Sequence, residues 1–152
     1  MGHLRVIIVN EMDGARRNIK NMLTRHGFII EAEVKDAAYG VRVLASTAAE
    51  LVITEDVTPG WPELVRAARE KQIPVLLIVS QEEGDIAPEA AGLGVAGIIV
   101  RPLTERNLSV LAKFTALTAY PLFPAETKSL DAAARTRRQL INNRRKRLIF
   151  ER

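Results

Sequence analysis

Residues 51–79 read LVITEDVTPGWPELVRAAREKQIPVLLIV and contain a strand, a helix and a second strand. Residues 51–54 and 74–79 are short apolar runs rich in β-branched residues, which is typical of buried strands. Pro59-Gly60 ends the first strand, and residues 62–71 fit a helix with proline in its first turn. This stretch therefore predicts a right-handed β-α-β unit of a parallel sheet.

The same alternation continues on both sides of this unit. Apolar runs predict further strands at 4–9, 28–33 and 96–100. Further helices are predicted over residues 15–25, after residue 36, over 87–93 and over 105–119, and three of them have candidate caps in Asp13, Asp36 and Thr104. Five strands alternating with five helices predict an α/β fold: a flavodoxin-like, doubly wound (βα)5 parallel sheet of order 2-1-3-4-5.

The composition limits the possible chemistry. The chain has 152 residues, 47% hydrophobic and 26% charged, as expected for one soluble globular domain with a short appendage. It has no cysteine, which excludes disulfides and thiolate metal sites, and its only histidines are His3 and His26. No apolar run reaches the ~18 residues of a membrane span and no signal peptide opens the chain. We expect a cytoplasmic protein with no membrane contact.

The basic charge is concentrated at the C-terminus. Residues 128–152 contain nine basic and two acidic residues, a net charge of +7, whereas residues 1–127 contain 13 basic and 16 acidic residues. Two prolines, at 121 and 124, predict a linker over residues 120–125, after a globular domain over residues 1–119. Residues 126–152 lack glycine and proline and are rich in alanine, leucine and arginine, which predicts a basic C-terminal helical extension.

Polar side chains follow several of the predicted strands. In sheets of this order, sites form where the strands end, near the switch point between strands 1 and 3. The residues that this rule selects are Asn10, Glu11, Glu55, Asp56, Ser80 and Arg101.

The order of these residues resembles a known family. Val9-Asn10-Glu11 after strand 1, Glu55 four residues before Pro59-Gly60, and Arg101-Pro102 after strand 5 resemble a response-regulator receiver of the CheY-like type. The resemblance extends over residues 4–118. In addition, the Arg-Lys-Arg-Leu-Ile pattern at residues 145–149 resembles the junction between a receiver and an RNA-binding antitermination (ANTAR-type) module.

The resemblance implies acyl-phosphate formation on an aspartate at the end of strand 3. In the family an acidic pair after strand 1 holds Mg²⁺, and a hydroxyl after strand 4 and a lysine after strand 5 contact the phosphoryl group. Every one of these positions differs here: they are occupied by Asn10-Glu11, Glu55, Val79 (with Ser80 one place beyond) and Arg101, and Ile98 replaces the aromatic that many members carry.

The substitutions predict a degenerate pseudo-receiver that is not an enzyme. The extra methylene of Glu55 places its carboxylate about 1 Å into the phosphoryl space, and a misplacement of that size can cost on the order of 10²-fold in rate. The loss of one acidic side chain beside the metal site and of the strand-4 hydroxyl removes further stabilisation. We expect no cofactor and little or no Mg²⁺ binding.

Two alternatives remain open at this stage. Asp56 is the alternative phosphoacceptor, although strand alternation predicts that it points away from Glu55 and serves as a solvated loop acid or a helix cap. Separately, Glu11, Glu55 and Arg101 form either a purely structural ion network or a fixed substitute for the phosphorylated state, in which the Arg101 fork holds the Glu55 carboxylate.

The expected function is a two-component signalling module that works without phosphorylation. It would act through a homodimer, a partner protein or an output domain to regulate transcription or antitermination. The alternative is a genuine phosphate-accepting response regulator that uses Asp56 or Glu55.

The basic extension predicts nucleic-acid binding through Arg144, Arg145, Lys146 and Arg147. The alternative is a solvated helix face or connector. If the cluster binds, the affinity will fall steeply with salt and show little base preference, because phosphate contacts dominate. A gel shift that compares the full chain with a chain ending at Thr127 tests this, and equal binding by both would refute the assignment.

Overall fold

The computed structural model of this protein describes residues 3–80 and 85–119. The predicted linker at 120–125, the basic helix at 126–152 and the cluster Arg144, Arg145, Lys146 and Arg147 lie outside these residues. The described elements alternate along the chain: β1 (Arg5–Val9), α1 (Asp13–Arg25), β2 (Ile29–Val34), α2 (Ala37–Leu44), β3 (Leu51–Glu55), α3 (Trp61–Glu70), β4 (Val75–Val79), α4 (Ala87–Leu93), β5 (Gly97–Val100) and α5 (Glu105–Thr118).

The sheet has the predicted topology. Its five strands run in the order β2-β1-β3-β4-β5, and every neighbouring pair is parallel. Val9 aligns with Thr54, and Val79 aligns with Val100, so the inner strands end close to one another. This register brings the residues that follow β1, β3, β4 and β5 to one edge of the sheet. The flavodoxin-like α/β prediction is confirmed.

The core lies on both faces of the sheet, which explains the uninterrupted apolar runs in the sequence. Ile7 and Val9 of β1 belong to a cluster beneath α2, α3 and α4 that includes Trp61. Val6 and Ile8, on the opposite face, belong to a second cluster beneath α1 and α5. These four side chains of β1 are fully buried, so a polar substitution at any of them would be costly on either face of the sheet.

Two of the predicted helix caps are confirmed and one is corrected. The Asp36 side chain accepts a hydrogen bond from Tyr39 N at 2.7 Å, and Thr104 Oγ1 accepts from Asn107 N at 2.9 Å. Asp13, predicted as the cap of α1, is instead its first residue, after Met12. Its carboxylate accepts from Arg16 Nη2 at 2.7 Å, and this bond holds the pKa of Asp13 below its ordinary value.

His26 is the C-cap of α1, directly after Arg25, and its Nε2 lies 2.9 Å from Glu105 Oε2. Gly27 follows with φ of 87°, in the left-handed region that favours glycine. Within residues 3–80 and 85–119, no helix is both long and apolar enough to cross a membrane.

Candidate functional site

Glu55 occupies the centre of the candidate site. It is the last residue of β3, and only 3% of its surface is exposed. Burying a carboxylate costs several kcal/mol unless it is paired and hydrogen-bonded. The contacts around Glu55 therefore determine what the site can do.

Three donors surround the Glu55 carboxylate. Oε1 accepts from Asn10 Nδ2 at 2.8 Å and from Arg101 Nη2 at 2.9 Å, while Oε2 accepts from Arg101 Nε at 2.5 Å. Arg101 thus holds the carboxylate with two parallel bonds, the geometry that arginine provides and lysine does not. The structure brings Asn10, Glu55 and Arg101 from three strands into one buried cluster.

Asn10 acts as a donor to this cluster. The side chain is fully buried, and its Oδ1 accepts from Met12 N at 2.9 Å while its Nδ2 faces Glu55. The opposite amide orientation would place two oxygens against each other at Glu55 and two nitrogens against each other at Met12, so the hydrogen-bond network fixes the assignment. Arg16 Nη1 donates to the Asn10 carbonyl at 2.8 Å and ties α1 to the same loop.

Arg101 connects the buried cluster to the surface. Its side chain is 30% exposed, whereas that of Glu55 is 4% exposed. The hydrogen bond that Arg101 donates to Glu55 raises the pKa of the Arg101 guanidinium above its ordinary value; burial opposes this, and the charges of Glu55 and Asp56 add to it. Arg101 is therefore a permanent cation at the end of β5.

Asp56 lies differently from the sequence prediction. It was expected as a solvated loop acid or a helix cap, but it is half-buried and accepts from Ser80 N at 3.2 Å and from Ser80 Oγ at 3.4 Å. Asp56 directly follows β3, and its carboxylate contacts Ser80 rather than the partners of Glu55. Asp56 consequently joins the ends of β3 and β4.

Glu11 does not join the buried cluster. The residue is exposed, and its backbone N–H donates to Thr58 Oγ1 at 3.1 Å. Thr58 is fully buried, and its own N–H donates to Glu55 O at 3.0 Å. Thr58 therefore holds the loop after β1 against the loop after β3. Sequence analysis missed this residue, because no pattern marks a single buried threonine in a loop.

Val79 and Ile98 are partly buried and pack against the apolar cluster beneath α2, α3 and α4, which contains Trp61. Neither side chain can donate a hydrogen bond. The hydroxyl of Ser80, one residue beyond Val79, contacts Asp56.

The described residues do not fit a magnesium ion. Mg²⁺ requires near-octahedral oxygen ligands, yet both Glu55 oxygens already accept hydrogen bonds and Asn10 presents its NH₂ group to the cluster. Across residues 3–80 and 85–119, no group of three or more histidine, aspartate and glutamate side chains is arranged to hold a metal. Charge pairing and hydrogen bonds hold the cluster of Asn10, Glu55 and Arg101 together.

The fold and the charged strand ends define a receiver, and comparison with known proteins supports this class. The chain is 33% identical over 111 residues to the chemotaxis protein CheY of Pseudomonas aeruginosa, which covers 69% of the chain and 90% of that protein. It is 31% identical over 112 residues to CheY-3 of Vibrio cholerae, with 70% and 86% covered. The sequence matches no protein-family model. The chain belongs to the response-regulator receiver family of two-component signalling.

Solved structures agree on the fold. The signal receiver domain of NarL from Mycobacterium tuberculosis superposes with a TM-score of 0.70 at 19% identity, covering 76% of this chain and 98% of that one. CheY4 of Vibrio cholerae superposes with a TM-score of 0.65 at 19% identity, covering 74% and 98%.

Proposed function

We propose that this chain is a receiver module that signals without being phosphorylated. The observation that carries the proposal is the pairing of Glu55 with Arg101: the carboxylate accepts three hydrogen bonds, and two of them come from Arg101, one to each oxygen. A nucleophilic carboxylate needs a free oxygen facing the phosphoryl donor. Glu55 instead offers a fixed negative charge, held by the cation at the position of the family's lysine.

The competing function is phosphate acceptance at Glu55 or Asp56. Asp56 has the chemically suitable side chain, since it is an aspartate close to Arg101. Its carboxylate is directed to Ser80, however, and the described residues near it lack the acidic pair that the family uses to hold the metal. We therefore favour the phosphorylation-independent function.

Intact-mass measurement tests the proposal. The full chain, incubated with Mg²⁺ and acetyl phosphate, is expected to keep its mass. Calorimetry is expected to show no saturation with Mg²⁺ below millimolar concentration, because both carboxylate oxygens of Glu55 already accept hydrogen bonds. A receiver that keeps the aspartate, the acidic pair and the lysine serves as positive control. A mass gain of one phosphoryl group that is lost at alkaline pH would contradict the proposal.

We further propose that the output passes through association. The apolar side chains Val100 of β5 and Val110 of α5 are 55% and 59% exposed. A groove of about 650 Å³ is lined by residues that include Ile99, Val110 and Leu111. Exposed apolar surface of this kind marks interaction sites. A homodimer would use the α4–β5–α5 face or the C-terminal extension, and a partner protein or output domain is the alternative occupant.

Light scattering measures this association. We expect the full chain to be dimeric at ~100 μM, a concentration at which an association of about −5.5 kcal/mol is half formed. A chain ending at Ala119 separates the two contacts: it stays dimeric if the α4–β5–α5 face carries the association and becomes monomeric if the extension does. A full-length monomer at that concentration would refute dimerisation. Regulation of transcription or antitermination through the extension remains part of this proposal.

A further inference from the structure

The Asp56–Ser80 contact connects two strand ends that the Glu55 cluster does not join. Glu55 links β3 to β5 through Arg101 and to β1 through Asn10. Ser80, directly after β4, donates both its backbone N–H and its hydroxyl to the two oxygens of Asp56. Of the two adjacent acids at the end of β3, Glu55 therefore contacts the ends of β1 and β5, and Asp56 contacts the end of β4.

The backbone gives Asp56 a fixed place from which to hold Ser80. Asp56 N donates to Ile78 O at 3.0 Å, which continues the hydrogen bonding between β3 and β4 one residue beyond the end of β3. The Asp56 side chain then reaches forward along β4 to Ser80, from which the chain continues to α4. A carboxylate that accepts both a backbone N–H and a hydroxyl from one residue restricts that residue's backbone as well as its side chain.

We propose that Asp56 is a positioning residue that fixes the end of β4, and thereby the start of the connection to α4, and that it is not a phosphoacceptor. This role deepens the phosphorylation-independent function proposed above and rests on it. In this arrangement Glu55 sets the position of β5, and Asp56 sets the approach to α4. Together, the two acids would therefore position two of the three elements of the α4–β5–α5 face, β5 and α4.

Amide hydrogen exchange on the full chain tests the role of Asp56. In Asp56→Ala, exchange of the Ser80 amide is expected to rise about tenfold, the effect of losing one hydrogen bond, and the Ile86 and Ala90 amide resonances are expected to shift. Asp56→Asn keeps an oxygen for the Ser80 N–H, so exchange should return to within about threefold of the unchanged chain. Ser80→Ala, which removes only the hydroxyl, should leave the residue 80 amide protected.

Unchanged Ser80 exchange in Asp56→Ala, or no rescue by Asp56→Asn, would overturn the positioning role. Both proposals make separate predictions for the reaction with Mg²⁺ and acetyl phosphate. A phosphoryl mass gain that Asp56→Asn abolishes would overturn both the role of Asp56 described here and the proposed function. A gain that survives Asp56→Asn but disappears in Glu55→Gln would overturn the proposed function while leaving the Asp56–Ser80 contact intact.

Discussion

Replacement of Arg101 by alanine is expected to lower the free energy of unfolding by about 3 kcal/mol, because it leaves the Glu55 carboxylate buried without its cation. The estimate is at the lower end for buried pairs, since the Arg101 side chain is 30% exposed and water partly compensates for its loss. Urea denaturation of both chains measures the difference. A change below about 0.5 kcal/mol, the size of an ordinary surface substitution, would contradict the importance of the pair.

Two further variants separate the buried pair from surface charge effects. Arg66→Ala removes an exposed pair with Glu63, in which Arg66 Nη1 lies 3.3 Å from Glu63 Oε2, and it should cost at most about 0.5 kcal/mol. Adding Glu55→Gln to Arg101→Ala removes the uncompensated charge, so the double variant should regain about 1 kcal/mol or more. If the double variant is as unstable as Arg101→Ala alone, the lost stability comes from packing rather than from charge.

Restoration of the family's residues should raise the uptake of a phosphoryl group far above that of the unchanged chain. A variant with Asn10→Asp, Glu55→Asp, Val79→Thr and Arg101→Lys replaces the hydrogen-bonded cluster by an acidic pair, a shorter nucleophile, a hydroxyl and a lysine. We expect Mg²⁺-dependent uptake of one phosphoryl group from acetyl phosphate, at least about 100-fold above the unchanged chain, because correct placement alone contributes roughly this factor. Intact mass measures the uptake.

The matched control keeps Glu55 and changes the other three positions. Only the side-chain length at residue 55 then differs between the two variants, and the triple variant should remain unmodified. Equal uptake by both variants would show that the extra methylene is not the barrier. No uptake by the fourfold variant would place the barrier in the loops that Thr58 holds together, rather than in the substituted side chains.

The fold was predictable because its strands are buried on both faces. Continuous apolar runs such as residues 74–79 predict β4 directly, and the ordered alternation with helices leaves little choice of topology. The wrong predictions concern the ends of helices and strands, where a shift of one residue changes the role of a side chain. Asp13 was predicted to cap α1 but lies inside its first turn, where its carboxylate pairs with Arg16.

The site was predictable where a strand fixes the side chain and unpredictable in the loops. Glu55 ends β3 and Arg101 directly follows β5, so counting along the sequence placed them close together. Glu11 and Asp56 lie beyond their strands, where the direction of a side chain depends on the loop. Glu11 is held by its backbone through Thr58, and Asp56 is directed to Ser80. The spacing of residues carries no information about either contact.

If the domain signals as proposed, the Glu55–Arg101 pair also determines how long the signal lasts. A phosphoryl group is added by one reaction and removed by hydrolysis, which gives an ordinary receiver a timer. The Glu55 carboxylate belongs to the polypeptide itself and persists until the chain is degraded. In a cell that uses the domain as proposed, the strength of the signal follows copy number, and synthesis and proteolysis take over the roles of kinase and phosphatase.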